Sequence, residues 1–273
     1  MNLAELFALD RTGVMGILNT TPDSFSDGGL WPDHERALRH AVMMAKAGAD
    51  IIDIGGESTR PGADEVPAQQ EMDRVIPVVE SVVRETDVLV SVDTSKPEIM
   101  QAAVLAGAGM VNDVYALRRK GALEMAVLLD VPVCIMHMQG KPRDMQHAPQ
   151  YDDVVSEVSS FLLERASVCE AAGITPGRIV IDPGFGFGKT LDQNLELFRA
   201  IPRICGTGYP VLVGISRKAM LGDLTTRPVK KRGAASVAAA MLAAQAGAAI
   251  VRVHDVAETI DALKVARVLA PLP

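Results

Sequence analysis

Two aspartates, Asp93 in VSVDTSKP and Asp182 in VIDPGFG, each close a short β-branched run, and Asn112 lies on another run between them. A carboxylate at that position can cap the helix that follows. Two of them with an amide can instead offer acceptors to a flat heterocycle bearing amino and ring N–H groups, such as a purine or a pterin. Lys218, in GISRKAM, ends a further run. It admits three readings: a Schiff-base nucleophile, a solvated surface cation, or an ammonium kept charged by carboxylates and donating to a ring carbonyl. Arg252 and His254 alternate in VRVHDV and therefore share one strand face. With Arg60 they form a basic cluster suited to phosphate oxygens, unless acidic neighbours take them up in ion pairs. His137, in CIMHMQG, has no histidine or cysteine at ligand spacing, so a hydrogen-bonded structural role is expected rather than zinc.

The segment IVIDPGFGFGKT, residues 179–190, ends like a phosphate-cradling loop. Such a loop needs glycine five residues before its Gly-Lys pair. Pro183 stands there and has no N–H to give. Gly184, Gly186 and Gly188 are spaced G-x-G-x-G, which also fails the dinucleotide pattern G-x-G-x-x-G. The expectation is a tight turn beside Asp182 and no nucleotide cradle.

These residues need elements to place them. Eight short apolar runs, at 14–18, 50–54, 88–92, 110–114, 132–136, 178–181, 211–215 and 249–253, alternate with helical patterns at 35–47, 69–85, 97–106, 122–129, 153–172, 191–204, 234–246 and 257–269. Continuous apolar runs fit parallel strands buried on both faces. Gly48, Gly107, Gly173 and Gly247 stand where left-handed helix C-caps are wanted. Eight such units fit an α/β fold of the closed (β/α)8 TIM-barrel type, one domain over 1–273, better than an open doubly wound sheet. In that barrel the chemistry gathers where strands end. The ends carry Asn19, the Gly55-Gly56-Glu57 turn, Asp93, Asn112 with Asp113, His137, Asp182, Ser216 with Lys218, and Arg252 with His254. The loops NTTPDSFSDGG and GGESTRPGADE exceed the usual βα connection, so Phe25 and Pro61 are candidates for lids that close over a ligand.

Bulk composition narrows the partners. A net charge of −7 with 4% aromatic residues argues against nucleic acid, which wants a basic stripe and stacking platforms. Cys134, Cys169 and Cys205 lack C-x-x-C spacing and read as buried thiols of a reducing, cytoplasmic compartment. The opening MNLAELFALDR does not read as a signal peptide. Residues 234–251 are apolar but interrupted by Ser236, Gln245 and Gly247, so a buried helix running into a strand is expected rather than a membrane span. The helical part, 234–246, is apolar nearly all round and suits either a dimer seam or burial within the chain.

The segments MGILNTTPDSFSDGG, IIDIGGESTRPGA, VSVDTSKP, IDPGFGFGK, GISRK and VRVHDV, in that order over 14–256, resemble the signature segments of the dihydropteroate synthase family. The resemblance implies a barrel that joins 6-hydroxymethyl-7,8-dihydropterin diphosphate to p-aminobenzoate in folate synthesis, with Mg²⁺ and as a homodimer, without nucleic acid or membrane. It assigns the pterin ring to Asp93, Asn112, Asp182 and Lys218, the diphosphate to Thr59, Arg60, Arg252 and His254, and the metal to Asn19. Phe25 and Pro61 match lid residues that wall the p-aminobenzoate pocket, where sulfonamides bind. Catalysis then rests on Asp93, Lys218, Arg252 and His254, without a covalent enzyme intermediate. Two positions depart from the family: Thr20 where many members have valine, and Ala219 where many have a serine able to hold the p-aminobenzoate carboxylate. Rival readings are a sibling pterin barrel moving a methyl group to a corrinoid protein, a Schiff-base aldolase using Lys218, and a non-catalytic pterin binder.

Overall fold

The computed structural model describes residues 2–21, 30–58, 62–140, 145 and 149–269. A short helix α1 (Leu3–Phe7) precedes β1 (Gly13–Asn19), α2 (Leu30–Ala47), β2 (Ile51–Gly55), α3 (Ala68–Glu85), β3 (Leu89–Asp93), α4 (Pro97–Leu105) and β4 (Met110–Asp113). The second half runs α5 (Ala122–Leu129), β5 (Val133–Met136), α6 (Val154–Ala171), β6 (Ile179–Asp182), α7 (Leu191–Arg199), α8 (Ile201–Cys205), β7 (Leu212–Val213), α9 (Ala219–Thr225), α10 (Gly233–Gln245), β8 (Ile250–Val253) and α11 (Val256–Leu269). All strand pairs are parallel, in the order β6-β5-β4-β3-β2-β1-β8-β7. An Ile181–Val211 bridge brings β6 to β7 and closes the circle, so the expected barrel is the fold and the open sheet is not. This seam is the weakest in hydrogen bonds, and β7 is accordingly shorter than the 211–215 expected.

Period-2 alternation sorts the strand residues into two cores. Val14, Ile52, Val92, Val111, Ile135, Ile181, Val213 and Val251 face the helices. Met15, Ile51, Leu89, Met110, Cys134, Val180, Leu212 and Ile250 fill the barrel interior with Leu3 and Leu6 of α1, which plugs the end where the strands begin. Two residues further along the inward faces come Ile17, Asp53, Ser91, Asn112, Met136, Asp182 and Arg252; two more bring Asn19, Gly55, Asp93 and His254. The interior is thus apolar at its floor and polar at its rim.

Besides β7, the helices differ from the expectation in four places, the first being α2, which starts at Leu30 and not at 35. Helix α1 is only five residues, too short to show a period, and a capping box starts it: Asn2 Oδ1 accepts from Glu5 N–H and Glu5 accepts from Asn2 N–H. The 191–204 pattern is two helices that meet at Ala200, with Pro202 in the first turn of the second. Helix α9 was not anticipated at all. The four glycines after helices do adopt left-handed backbone, with φ of +103°, +107°, +113° and +97° at Gly48, Gly107, Gly173 and Gly247. Residues 234–251 become α10 and β8, and no described helix is long and apolar enough to cross a membrane.

Candidate active site

Four strands meet at a charged chain of contacts on the rim. Arg252 on β8 donates through Nε to Asp53 Oδ2 of β2 at 2.7 Å and through Nη2 to Asp93 Oδ2 of β3 at 2.8 Å. Asn112 on β4 donates to the same Asp53 oxygen at 2.9 Å. Asp53 has no exposed surface, and its Oδ1 has no hydrogen-bond partner among the described residues. Burial pushes the Asp93 carboxyl up to about 7, with Arg252 opposing and Asp53 adding to the rise. Burial also works to lower Arg252, but Asp53 and Asp93 hold it above its ordinary value. One guanidinium therefore serves two carboxylates, and Asp93 is the one left at the edge of the barrel mouth.

The second half of the rim is built on the glycine turn after β6. Asp182 Oδ1 accepts from Gly184 N–H at 2.7 Å, Gly186 N–H goes to Asn194 Oδ1 at 2.7 Å, and Phe187 N–H goes to Gly184 O at 3.1 Å. These N–H groups are consumed within the turn, as the rejection of a phosphate cradle required. Left-handed φ of +68° at Gly184 is coupled to a close approach, since a Cβ there would lie 1.9 Å from His137 O. Lys218 reaches the turn from above: Nζ donates to Phe185 O at 2.5 Å and sits 4.6 Å from the centre of the Phe187 ring. Burial brings Lys218 down to about 8, with Asp182 opposing the fall. Burial raises Asp182 above the usual carboxylate range, with Lys218 the main opposing charge.

The remaining cations sit around the Ser216–Lys218 corner. Ser216 Oγ lies 2.9 Å from His254 Nδ1 and accepts from His254 N–H at 3.2 Å. Arg217 takes a left-handed φ of +60°, unusual for a side-chain-bearing residue. Its N–H donates to the buried Ser236 Oγ at 2.9 Å, its Nη2 to Asp255 at 2.5 Å, and its carbonyl accepts from Arg232 Nη1 at 3.1 Å. Asp113, by contrast, faces away from the mouth and accepts from the N–H groups of Tyr115 and Leu117, each at 2.8 Å. His137 has the structural role expected of it. Its ring contacts Lys189 and packs edge-on to Phe161, and burial brings it down to about 2.

A profile of the family described as pterin binding enzyme matches residues 15–254. The dihydropteroate synthase of Escherichia coli (strain K12) is 50% identical over 257 residues, covering 94% of this chain and 91% of that one. That of Haemophilus influenzae is 51% identical over 252 residues, covering 92% of each chain. The chain belongs to the dihydropteroate synthase family. Its fold superposes on that of the Xanthomonas albilineans dihydropteroate synthase solved with 4-aminobenzoic acid, at a TM-score of 0.92 and 56% identity over 97% of this chain and 95% of that one. It matches the same organism's complex with 7,8-dihydropteroate at a TM-score of 0.89 and 53% identity, over 97% and 96%. The Yersinia pestis dihydropteroate synthase with a sulfonamide drug gives 0.91 and 50%, over 95% and 94%.

Of the residues that the resemblance to dihydropteroate synthases singled out, Asn19, Asp93, Asn112, Asp182, Lys218, Arg252 and His254 all stand at one barrel mouth. Phe25, Thr59, Arg60 and Pro61 lie outside the described residues. Three contributors carry little signal in the sequence. Asp53 hid inside the run IIDIG, although a carboxylate in a strand buried on both faces is itself a signal. Arg232 offered only a charge in a basic stretch. Glu57, noted only as part of a turn, pairs with Lys96, which also donates to the buried Glu71 at 2.5 Å, while Thr94 Oγ1 donates to Glu71 at 2.6 Å. Thr20 has a local reason in this dihydropteroate synthase relative: its N–H and hydroxyl both donate to Gly55 O, at 2.8 and 3.1 Å. Ala219 is exposed at the start of α9. For Mg²⁺, Asn19 brings a hard amide oxygen to the rim, and among the described residues no group of three His, Cys, Asp or Glu forms a cage. That donor set fits an ion whose other oxygens come from a substrate diphosphate and water.

Proposed function

We propose that this chain condenses 6-hydroxymethyl-7,8-dihydropterin diphosphate with p-aminobenzoate, releasing diphosphate and forming 7,8-dihydropteroate, and that sulfonamides compete at the p-aminobenzoate position. The observation that carries the reading is the convergence of Asp93, Asn112, Asp182, Lys218 and Arg252 on one rim of a dihydropteroate-synthase-like barrel.

In this reading the pterin ring lies in the mouth with its amino and N–H edge on Asp182 and Asn112, and its carbonyl on the Lys218 ammonium. Arg252, whose Nε and Nη2 are already committed to Asp53 and Asp93, offers Nη1 to the diphosphate beside His254, Thr59 and Arg60, and Phe25 and Pro61 wall the p-aminobenzoate pocket. Departure of diphosphate leaves positive charge on the pterin methylene carbon. Asp93, fixed by Arg252 and ionised, stabilises that charge electrostatically. Asn19 is the residue that would hold Mg²⁺ against the diphosphate oxygens, where the ion would neutralise departing charge. The aryl amine then attacks the methylene carbon, and Ala219 leaves its carboxylate to the backbone N–H groups after Lys218. A charged, hydrogen-bonded Lys218 supports this reading over a Schiff-base aldolase, which needs a free amine. The single catalytic domain is proposed to act in the cytoplasm as a homodimer, to which exposed Leu163 and Val168 on α6 and Leu242 on α10 offer apolar surface; sedimentation velocity checks the dimer.

The test is diphosphate release. It is expected only when both substrates are present, and Asp93→Asn is expected to fold normally while losing most turnover. Diphosphate release that is neither enhanced by p-aminobenzoate nor reduced by Asp93→Asn contradicts the assignment.

A further inference from the structure

The glycine turn is gripped from beneath by a lysine that no step above uses. Lys189 is 3% exposed, and its ammonium has three N–H bonds and three acceptors: Gly184 O at 2.8 Å, Phe187 O at 3.1 Å and His137 Nδ1 at 3.0 Å. With Lys189 charged, His137 Nδ1 accepts, which fixes the imidazole as its Nε2–H tautomer. Asn194 braces the same turn, accepting from Gly186 N–H and donating to Lys189 O at 3.1 Å. From the other side, Lys218 takes Phe185 O and the face of Phe187. Two lysines thus hold one turn, Lys189 at Gly184 and Phe187 from inside the wall and Lys218 at Phe185 and the Phe187 ring from the mouth.

We propose that Lys189 is a positioning residue: through the carbonyls of Gly184 and Phe187 it sets where Phe185 O and the Phe187 ring stand, and so where Lys218 presents its ammonium to the pterin ring. This rests on the reading that Lys218 meets that ring. Taking a cation out of water is costly, and an apolar residue would fill the space without that cost. What the ammonium adds is three directed bonds to a turn that the glycines leave conformationally free. Burial lowers Lys189 to about 7, with Asp182 opposing the fall and the charge of Lys218 adding to it.

The experiment is a double-mutant cycle on kcat/KM for the dihydropterin diphosphate, using Lys189→Met, which keeps the stem length, and Lys218→Met. Lys189→Met is expected to lose on the order of 100-fold, the usual scale for misplacing a contact by about an ångström. In the Lys218→Met background it is expected to cost little more, because its effect passes through Lys218. The loss is expected mainly in KM for the dihydropterin diphosphate, because the contact displaced is one that binds the ring. Additive losses, a loss confined to kcat, or unchanged kcat/KM in a folded Lys189→Met protein each overturn the proposal. If Lys189→Met does not fold, Lys189→Arg is read in the same cycle: a loss that disappears in the Lys218→Met background supports the positioning role, and an additive loss or none overturns it. Should Lys218→Met alone leave kcat/KM and pterin affinity unchanged, the pterin reading of Lys218 fails, a result distinct from failure of the coupling.

Discussion

Asp93 is held by Arg252 and raised by burial, and both facts have consequences in pH. Its folded pKa, about 7, lies above the ordinary 3.8, so between those values the native state binds more protons than the unfolded chain. Stability therefore falls as pH rises through that window, and Asp93→Asn removes the fall; urea midpoints of the two proteins between pH 4 and 7 read the difference. Activity runs the other way, because an ionised Asp93 is what stabilises the pterin cation. The kcat/KM profile is expected to rise through about pH 7 and to decline above about pH 8 as Lys218 loses its proton, and Asp93→Asn abolishes the acid limb. Asp53 lies one layer deeper, and its contribution is to anchor. Asp53→Ala leaves Arg252 with one carboxylate and Asn112 without its acceptor, and is expected to cost about 3 kcal/mol of stability in urea denaturation, as breaking a buried pair does.

At the scale of elements, the glycine turn and α1 make opposite predictions. Gly184→Ala forces a Cβ toward His137 O in a left-handed backbone, so both stability and pterin affinity are expected to fall, by about 2 kcal/mol or more in stability. Gly177→Ala meets open space and is expected to change neither, which makes it the matched control in the same urea and binding measurements. Leu6 on α1 is fully buried at the barrel floor, away from the mouth. Leu6→Ala is expected to cost about 3 kcal/mol in urea denaturation while leaving KM for both substrates unchanged.

Across the whole molecule, what the sequence made legible follows from how physics is written into it. Parallel strands buried on both faces announce themselves as apolar runs, which is why all eight strands and the barrel were readable. Rim residues were readable where polarity ends such a run, as at Asp93 and Asp182. Asp53 was not, because it sits inside a run and its partner Arg252 lies 199 residues away. Lys189 was read only as the tail of a failed phosphate loop; its partners come from the preceding strand end and from carbonyls, which no side-chain pattern records. Helices α1 and α9 are too short for a period to emerge. The division of labour that results, an apolar floor for stability and a polar rim for chemistry, is the claim on which the functional account stands. A crystal structure with a dihydropterin diphosphate analogue and a p-aminobenzoate analogue bound tests it most directly. The bicyclic ring is expected in the mouth against Asn112, Asp182 and Lys218, with its phosphates toward Arg252 and His254; a ring bound anywhere else, or phosphates seated on the 184–188 turn, would contradict that division.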